Sequence, residues 1–130
     1  MVSGSKVNYT EILELMEKIG IPYSYDHFAE NESPDPPFCV FLFPSSSNFS
    51  ADGKVYQKID VFHIELYTDK KDPDMELTVE NVLDSYDFFY NKSEGWIEEE
   101  KLYEVLYSME VIWTNITDQE TTEQTNHTAP

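Results

Sequence analysis

The spacing of apolar residues changes along the chain from helical to alternating and back, and each change marks an element. In NYTEILELMEKIGIP, Tyr9, Ile12, Leu13 and Met16 recur at helical spacing. Asn8 can cap that helix, and Glu11, three residues on, can reach back to the cap. Gly20 supplies a left-handed end and Pro22 blocks continuation. YSYDHFAE switches to alternation, with Tyr23, Tyr25 and His27 on one face of a short strand. Pro34, Pro36 and Pro37 lack the N–H that an interior sheet position needs, so the next strand starts no earlier than Phe38. Phe38 to Phe43 is almost uniformly apolar, the pattern of a strand covered on both faces.

SSSNFSADGK follows as a loop with turn chemistry at Asp52-Gly53. KVYQKIDVFHIELYTD then predicts one long strand, paired as a hairpin with the one before it. Phe62, Ile64 and Leu66 share one of its faces; Ile59, Val61, His63, Glu65 and Tyr67 share the other. Because apolar pattern continues on both sides of ESPDPP, that stretch is an entry loop into a central sheet rather than a linker between domains. DPDMELTVENVLDSYDFF predicts a second helix: Asp72 caps it, Pro73 suits its first position, and Asp74 and Glu76 complement its positive end. Met75, Val79, Val82, Leu83 and Tyr86 form its apolar stripe. NKSEGWIEEEKLYEVLYSMEVIW predicts a hairpin, with Tyr103, Val105, Tyr107, Met109, Val111 and Trp113 alternating strictly. The expected architecture is a single α+β domain, a mostly antiparallel sheet of roughly four to five strands with both helices on one face.

Composition bounds this picture. The chain has 130 residues, 40% of them hydrophobic and 15% aromatic, enough for a sizeable core. The final segment, NITDQETTEQTNHTAP, has only Ile116 as a larger aliphatic residue. The expectation is a folded part over residues 1–115 and a disordered polar tail over 116–130. Twenty-six acidic against eight basic residues give a formal charge of −18, which argues against gripping a phosphate backbone. The run Glu98-Glu99-Glu100 is a solvated strand edge or turn. No apolar stretch approaches a membrane-spanning length, and MVSGSKVNY has no apolar core of a secretory leader, so a cytosolic site of synthesis is expected. Five Asn-x-Ser/Thr triplets begin at Asn8, Asn48, Asn91, Asn115 and Asn126; without a leader they read as coincidence.

Candidate chemistry is sparse. Cys39 sits in FCVFLF without a basic neighbour to lower its pKa, which marks a small buried hydrophobe rather than a nucleophile. His27 beside Asp26, and His63 two residues from Glu65, lack a third partner at metal-ligand spacing. Four glycines leave no room for a phosphate-binding loop. No catalytic, cofactor-binding or metal-binding residue is therefore assigned, and no cofactor is expected. What stands out is two long loops, AENESPDPP and PSSSNFSADGK, which are either plain connections or contact surfaces. The candidate contact residues are His27, Phe28, Glu30 and Asp35 in the first, and Asn48, Phe49, Asp52 and Lys54 in the second.

The blocks YSYDHFAENESPDPPFCVFLFP, NFSADGKVYQKIDVFHIELYTDKKDP and WIEEEKLYEVLYSMEV resemble small proteins encoded in the head–tail gene clusters of Firmicute siphophages and prophages, the tail terminator (tail completion) family. The resemblance covers residues 8–113. It implies an α+β virion protein that assembles as a hexameric ring, ends tail-tube growth and offers the surface on which the head docks. The implied partners are further copies of the chain, the major tail-tube protein, and head connector or neck proteins. DNA would pass through the lumen without sequence-specific contact, and no membrane is involved. The implied location is the virion, with assembly in the bacterial host cytoplasm. Two alternatives stay open: a connector or neck protein of the same gene cluster, and an acidic DNA mimic that blocks a host nuclease.

Overall fold

In the computed structural model, which describes residues 5–51 and 53–114, the elements run β1 (Ser5–Val7), α1 (Tyr9–Ile19), β2 (Tyr23–Tyr25), β3 (Phe38–Leu42), β4 (Phe49–Ala51), β5 (Lys54–Gln57), β6 (Ile59–Thr68), α2 (Pro73–Ser85), β7 (Asn91–Ile97) and β8 (Leu102–Trp113). The fold is α+β, with six strands in the main sheet and both helices on one face of it. Its frame is the antiparallel ladder between β6 and β8, ten residue pairs long from Ile59↔Ile112 to Thr68↔Tyr103. Side chains alternate across that ladder. Phe62, Ile64 and Leu66 of β6 therefore join Val105, Tyr107, Met109 and Val111 of β8 beneath the helices.

The sheet is mostly antiparallel, as expected, but mixed. Strand β3 pairs antiparallel with β6, but β2 pairs parallel with β3, Tyr23↔Cys39 to Tyr25↔Phe41. On the far edge of β8, β7 pairs antiparallel with residues 102–108, and β1 pairs parallel with residues 111–113. Strand β1 escapes the sequence pattern because three residues are too few to establish a period; its Val7 is buried opposite Trp113. The expected loop over SSSNFSADGK also contains structure. Phe49–Ala51 pairs with Lys54–Gln57 as a separate two-stranded sheet, with Gly53 at φ 76° in the turn between them. The single long strand expected from Lys54 onward is correspondingly broken at Lys58.

Local chemistry explains both helices. Asn8 accepts from the Glu11 N–H at 2.8 Å and Glu11 accepts from the Asn8 N–H at 2.9 Å, closing a capping box. Gly20, at φ 87°, ends α1 in the left-handed conformation that glycine adopts without strain. Asp72 caps α2 by accepting from the Met75 N–H, and Pro73 opens it. The buried face of α1 is Ile12, Leu15, Met16 and Ile19, with Tyr9 and Leu13 only partly covered. Aromatic rings fill the space below: Phe62 stacks on Phe43 at 5.1 Å and meets Phe41 and Phe88 at wider angles.

Helix α2 packs with its expected stripe and adds a charged residue to it. Val79 and Leu83 are buried, Met75, Val82 and Tyr86 are partly so, and the third fully covered residue is Glu76, 3% exposed. A buried carboxylate needs compensation. Lys71 Nζ lies 2.9 Å from Glu76 Oε1 and 2.8 Å from Oε2, while Lys92 Nζ lies 2.8 Å from Oε1. Lys92 also pairs with Glu80 at 2.7 Å, Lys71 with Glu94, and the buried Tyr107 hydroxyl donates to Glu80 at 2.9 Å. Through Lys92 and Glu94 this network ties α2 to β7, a strand whose residues 91–96 are all exposed.

Glu76→Ala leaves a cavity and reduces Lys71 and Lys92 to their remaining partners, Glu94 and Glu80. Both lysines reach solvent, so the full cost of breaking a buried pair is discounted to about 1–3 kcal/mol. A lowered urea midpoint, with faster amide exchange in β7 than in β6, is the expected result. Unchanged exchange in β7 would show that pairing with β8 alone holds the strand.

Candidate functional site

Strands that run parallel as neighbours need a crossover of about a dozen residues, because the chain must return to the starting end of the sheet. The proline-rich segment is that crossover. Strand β2 ends beside Phe41, where the Asp26 N–H donates to the Phe41 carbonyl at 2.8 Å. Asp26 takes φ 67° and turns the chain out of the strand, so His27 lies in the loop and not in the strand expected to contain it. The loop then comes back to Phe38 across the face opposite the helices, where Phe28 meets Phe38 edge-on at 5.3 Å. It is braced from within: Ser24 Oγ donates to the His27 carbonyl at 2.7 Å, and the Glu32 N–H to the Ala29 carbonyl at 2.9 Å.

Between this crossover and the sheet lies an open cleft of about 470 Å³. Its aromatic wall is Phe28, Phe38 and Tyr67, the last two stacked at 5.2 Å. Its carboxylates are Asp26, Glu65 and Glu100, the last on the β7–β8 turn, and His27 and Ser33 line it as well. The Tyr67 hydroxyl donates to Glu65 at 2.7 Å and lies 3.1 Å from Glu104. Burial pushes the Glu65 carboxyl above its ordinary 4.5, against the opposing pull of the Tyr67 hydrogen bond. Burial, with the neighbouring carboxylates, likewise raises the Tyr67 phenol and keeps it a donor. His27 Nδ1 sits 2.9 Å from Asp26 Oδ2 at the exposed rim.

The eight candidate contact residues separate into different places. His27 and Phe28 line the cleft, while Glu30 and Asp35 lie exposed along the crossover and do not line it. Asn48 belongs to the segment that follows β3. There its Oδ1 accepts from the Ile59 N–H at 3.0 Å, and Ser46 Oγ donates to Asp60 at 2.8 Å. That segment is stitched to the start of β6, so Asn48 holds the chain in place. Phe49 and Lys54 fall on β4 and β5 by their backbones, and Asp52 lies outside the described residues, as does the tail expected over 116–130. Sequence reasoning missed Glu65, Tyr67 and Glu100. The parity of β6 already put Glu65 and Tyr67 on one face, but nothing local said that the crossover would pass over them.

Among the described residues no group of three or more His, Cys, Asp or Glu side chains is placed to hold a metal ion, and no helix is long and apolar enough to cross a membrane. Cys39 is fully buried on the helix side of β3, and burial pushes its thiol up to about 12. No protein-family model and no curated protein matches the chain.

Two measurements follow from these environments. At pH 8 the Cys39 thiol stays protonated and covered, so a disulfide reagent labels it only after denaturant is added; prompt labelling of the native protein would contradict the burial. For Glu65, a folded-state pKa above the unfolded value means that the protonated form is favoured by folding. That contribution is complete below about 4.5 and is lost as pH rises through the folded pKa. Glu65→Gln keeps an acceptor for Tyr67 and removes the charge, so its thermal midpoint should exceed the parent's at pH 7, with the gap closing as pH falls below 4.5. A gap independent of pH would show that the charge carries no cost there.

Proposed function

We propose that the chain is a structural protein of a bacteriophage virion, a tail terminator that assembles head-to-tail into a ring on the end of the tail tube. The observation that carries this reading is the unlikeness of the two borders of the sheet. One border is β2, three residues in a parallel pair, with Tyr25 exposed. The other includes β7, seven residues in an antiparallel pair, with the Trp96 indole 48% exposed. A strand at a border presents backbone donors and acceptors that another chain can pair. Two different adhesive borders are what a head-to-tail contact requires, and closure of such contacts gives a ring.

Charge supports the same reading. A wall rich in carboxylates does not hold a duplex that must slide through it, whereas lysine-rich walls would. The formal charge of −18 has a cost for assembly: copies repel one another until salt screens them. The ring would work by contact alone, with further copies on its sides, the tail-tube protein below and the head connector above.

Light scattering on the purified protein, alone and with the tail-tube protein of its own gene cluster, tests this. A particle of about six times the 15.2 kDa chain mass is expected, forming at lower protein concentration as sodium chloride is raised. Tubes should stop lengthening once the protein is added. A monomer at every salt concentration that leaves growing tubes uncapped would overturn the proposal.

A further inference from the structure

The cleft beneath the crossover combines two features that one side chain satisfies together. Its wall is aromatic, with Phe38 and Tyr67 nearly parallel and Phe28 set edge-on to Phe38. Its charged lining is three carboxylates, Asp26, Glu65 and Glu100, with His27 beside Asp26 and Ser33 as the other polar side chains apart from Tyr67. Among the described residues no lysine pairs with Asp26, Glu65 or Glu100. The carboxylates around β7 are different, with Glu76 and Glu80 paired to Lys92, Glu94 to Lys71 and Glu98 to Lys101. Glu65 is the informative member. It is half-buried, its hydrogen-bond donor among the described residues is the neutral Tyr67 hydroxyl, and its position on β6 is fixed by pairing to both Val40 and Leu106.

We infer that this cleft is a docking site for an arginine side chain of a partner protein, its guanidinium stacked on the Phe28–Tyr67 wall and hydrogen-bonded to Glu65. A guanidinium is planar and weakly hydrated, and its fixed fork donates two parallel bonds to one carboxylate while its flat face stacks on a ring; a compact, strongly hydrated ammonium has no flat face to stack. The space also suits it, since a cleft of about 470 Å³ is wide enough for one long side chain together with the backbone that presents it. The eight basic residues of this chain are all lysines, so the arginine comes from a different protein and not from another copy. The inference rests on the virion reading only for which partner supplies the arginine. The pocket itself is tested on the chain alone, so the two fail separately.

The probe is a capped glycine pentapeptide with arginine at its centre, titrated into the labelled full chain and followed by backbone and aromatic NMR shifts. Saturable shifts are expected at residues 26–28, 65–67 and 100–102. The same peptide with citrulline, which keeps the shape and loses the charge, should bind about tenfold more weakly or worse, given what a charge-assisted hydrogen bond contributes. Glu65→Gln, whose own spectrum reports whether it is folded, should lose the saturable response. Glu80→Gln, outside the cleft, should keep it. Three results would overturn the inference: shifts that spread over the acidic surface without saturating, equal binding of the citrulline peptide, or an undiminished response in folded Glu65→Gln.

Discussion

Ten consecutive residue pairs between β6 and β8 set the parity of everything attached to them. A slip of one residue in that ladder would send Tyr107, Val105 and Val111 to the face away from the helices and bring Glu104, Ser108 and Glu110 under them. The register is protected by what each face must cover. Beneath the helices Phe62, Ile64 and Leu66 meet aliphatic and aromatic partners; on the other face Glu65 and Tyr67 sit opposite Leu106 and Glu104. Hydrophobic burial on one side and hydrogen-bonded polar groups on the other therefore favour the same alignment.

From this frame the molecule divides into a side that is finished and a side that is not. The helices close the first face, with α2 held over β7 by the lysines around Glu76. Among the described residues, the crossover that brings Phe28 onto Phe38 passes over the second face, because β2 runs parallel to β3 and the chain has to return. The cleft follows from that return path. Its carboxylates are placed by different elements, Asp26 at the exit of β2, Glu65 in the middle of β6 and Glu100 on the last turn, so they meet only when all three are in place.

Much of the fold is legible in local signals that do not need the rest of the chain. Asn8 with Glu11, Gly20, and Asp72 with Pro73 mark helix ends because each satisfies a backbone group or dihedral in its own neighbourhood. The alternation from Tyr103 to Trp113 and the faces of β6 are legible for the same reason. Less legible was whatever depended on distance along the chain. Glu76 looked like a solvated first-turn acid until Lys71 and Lys92 converged on it from either side. The loop after β3 could be read as connection or contact surface, and nothing local said that Asn48 and Ser46 would bond to the start of β6.

By itself the sequence determined where α1 begins and ends and where α2 begins, which side chains of β6 and β8 share a face, and that Pro34, Pro36 and Pro37 stand outside the sheet, since capping, side-chain period and a missing N–H are properties of a few adjacent residues. Only the tertiary structure decided that β1 pairs parallel with β8 and β2 with β3, that the proline segment is the crossover the β2–β3 pairing demands, and that this crossover brings Phe28 over Phe38 and Asp26 toward Glu65. Strand direction is settled by the competition of whole elements for a place at the sheet border, and no short window of residues carries that information.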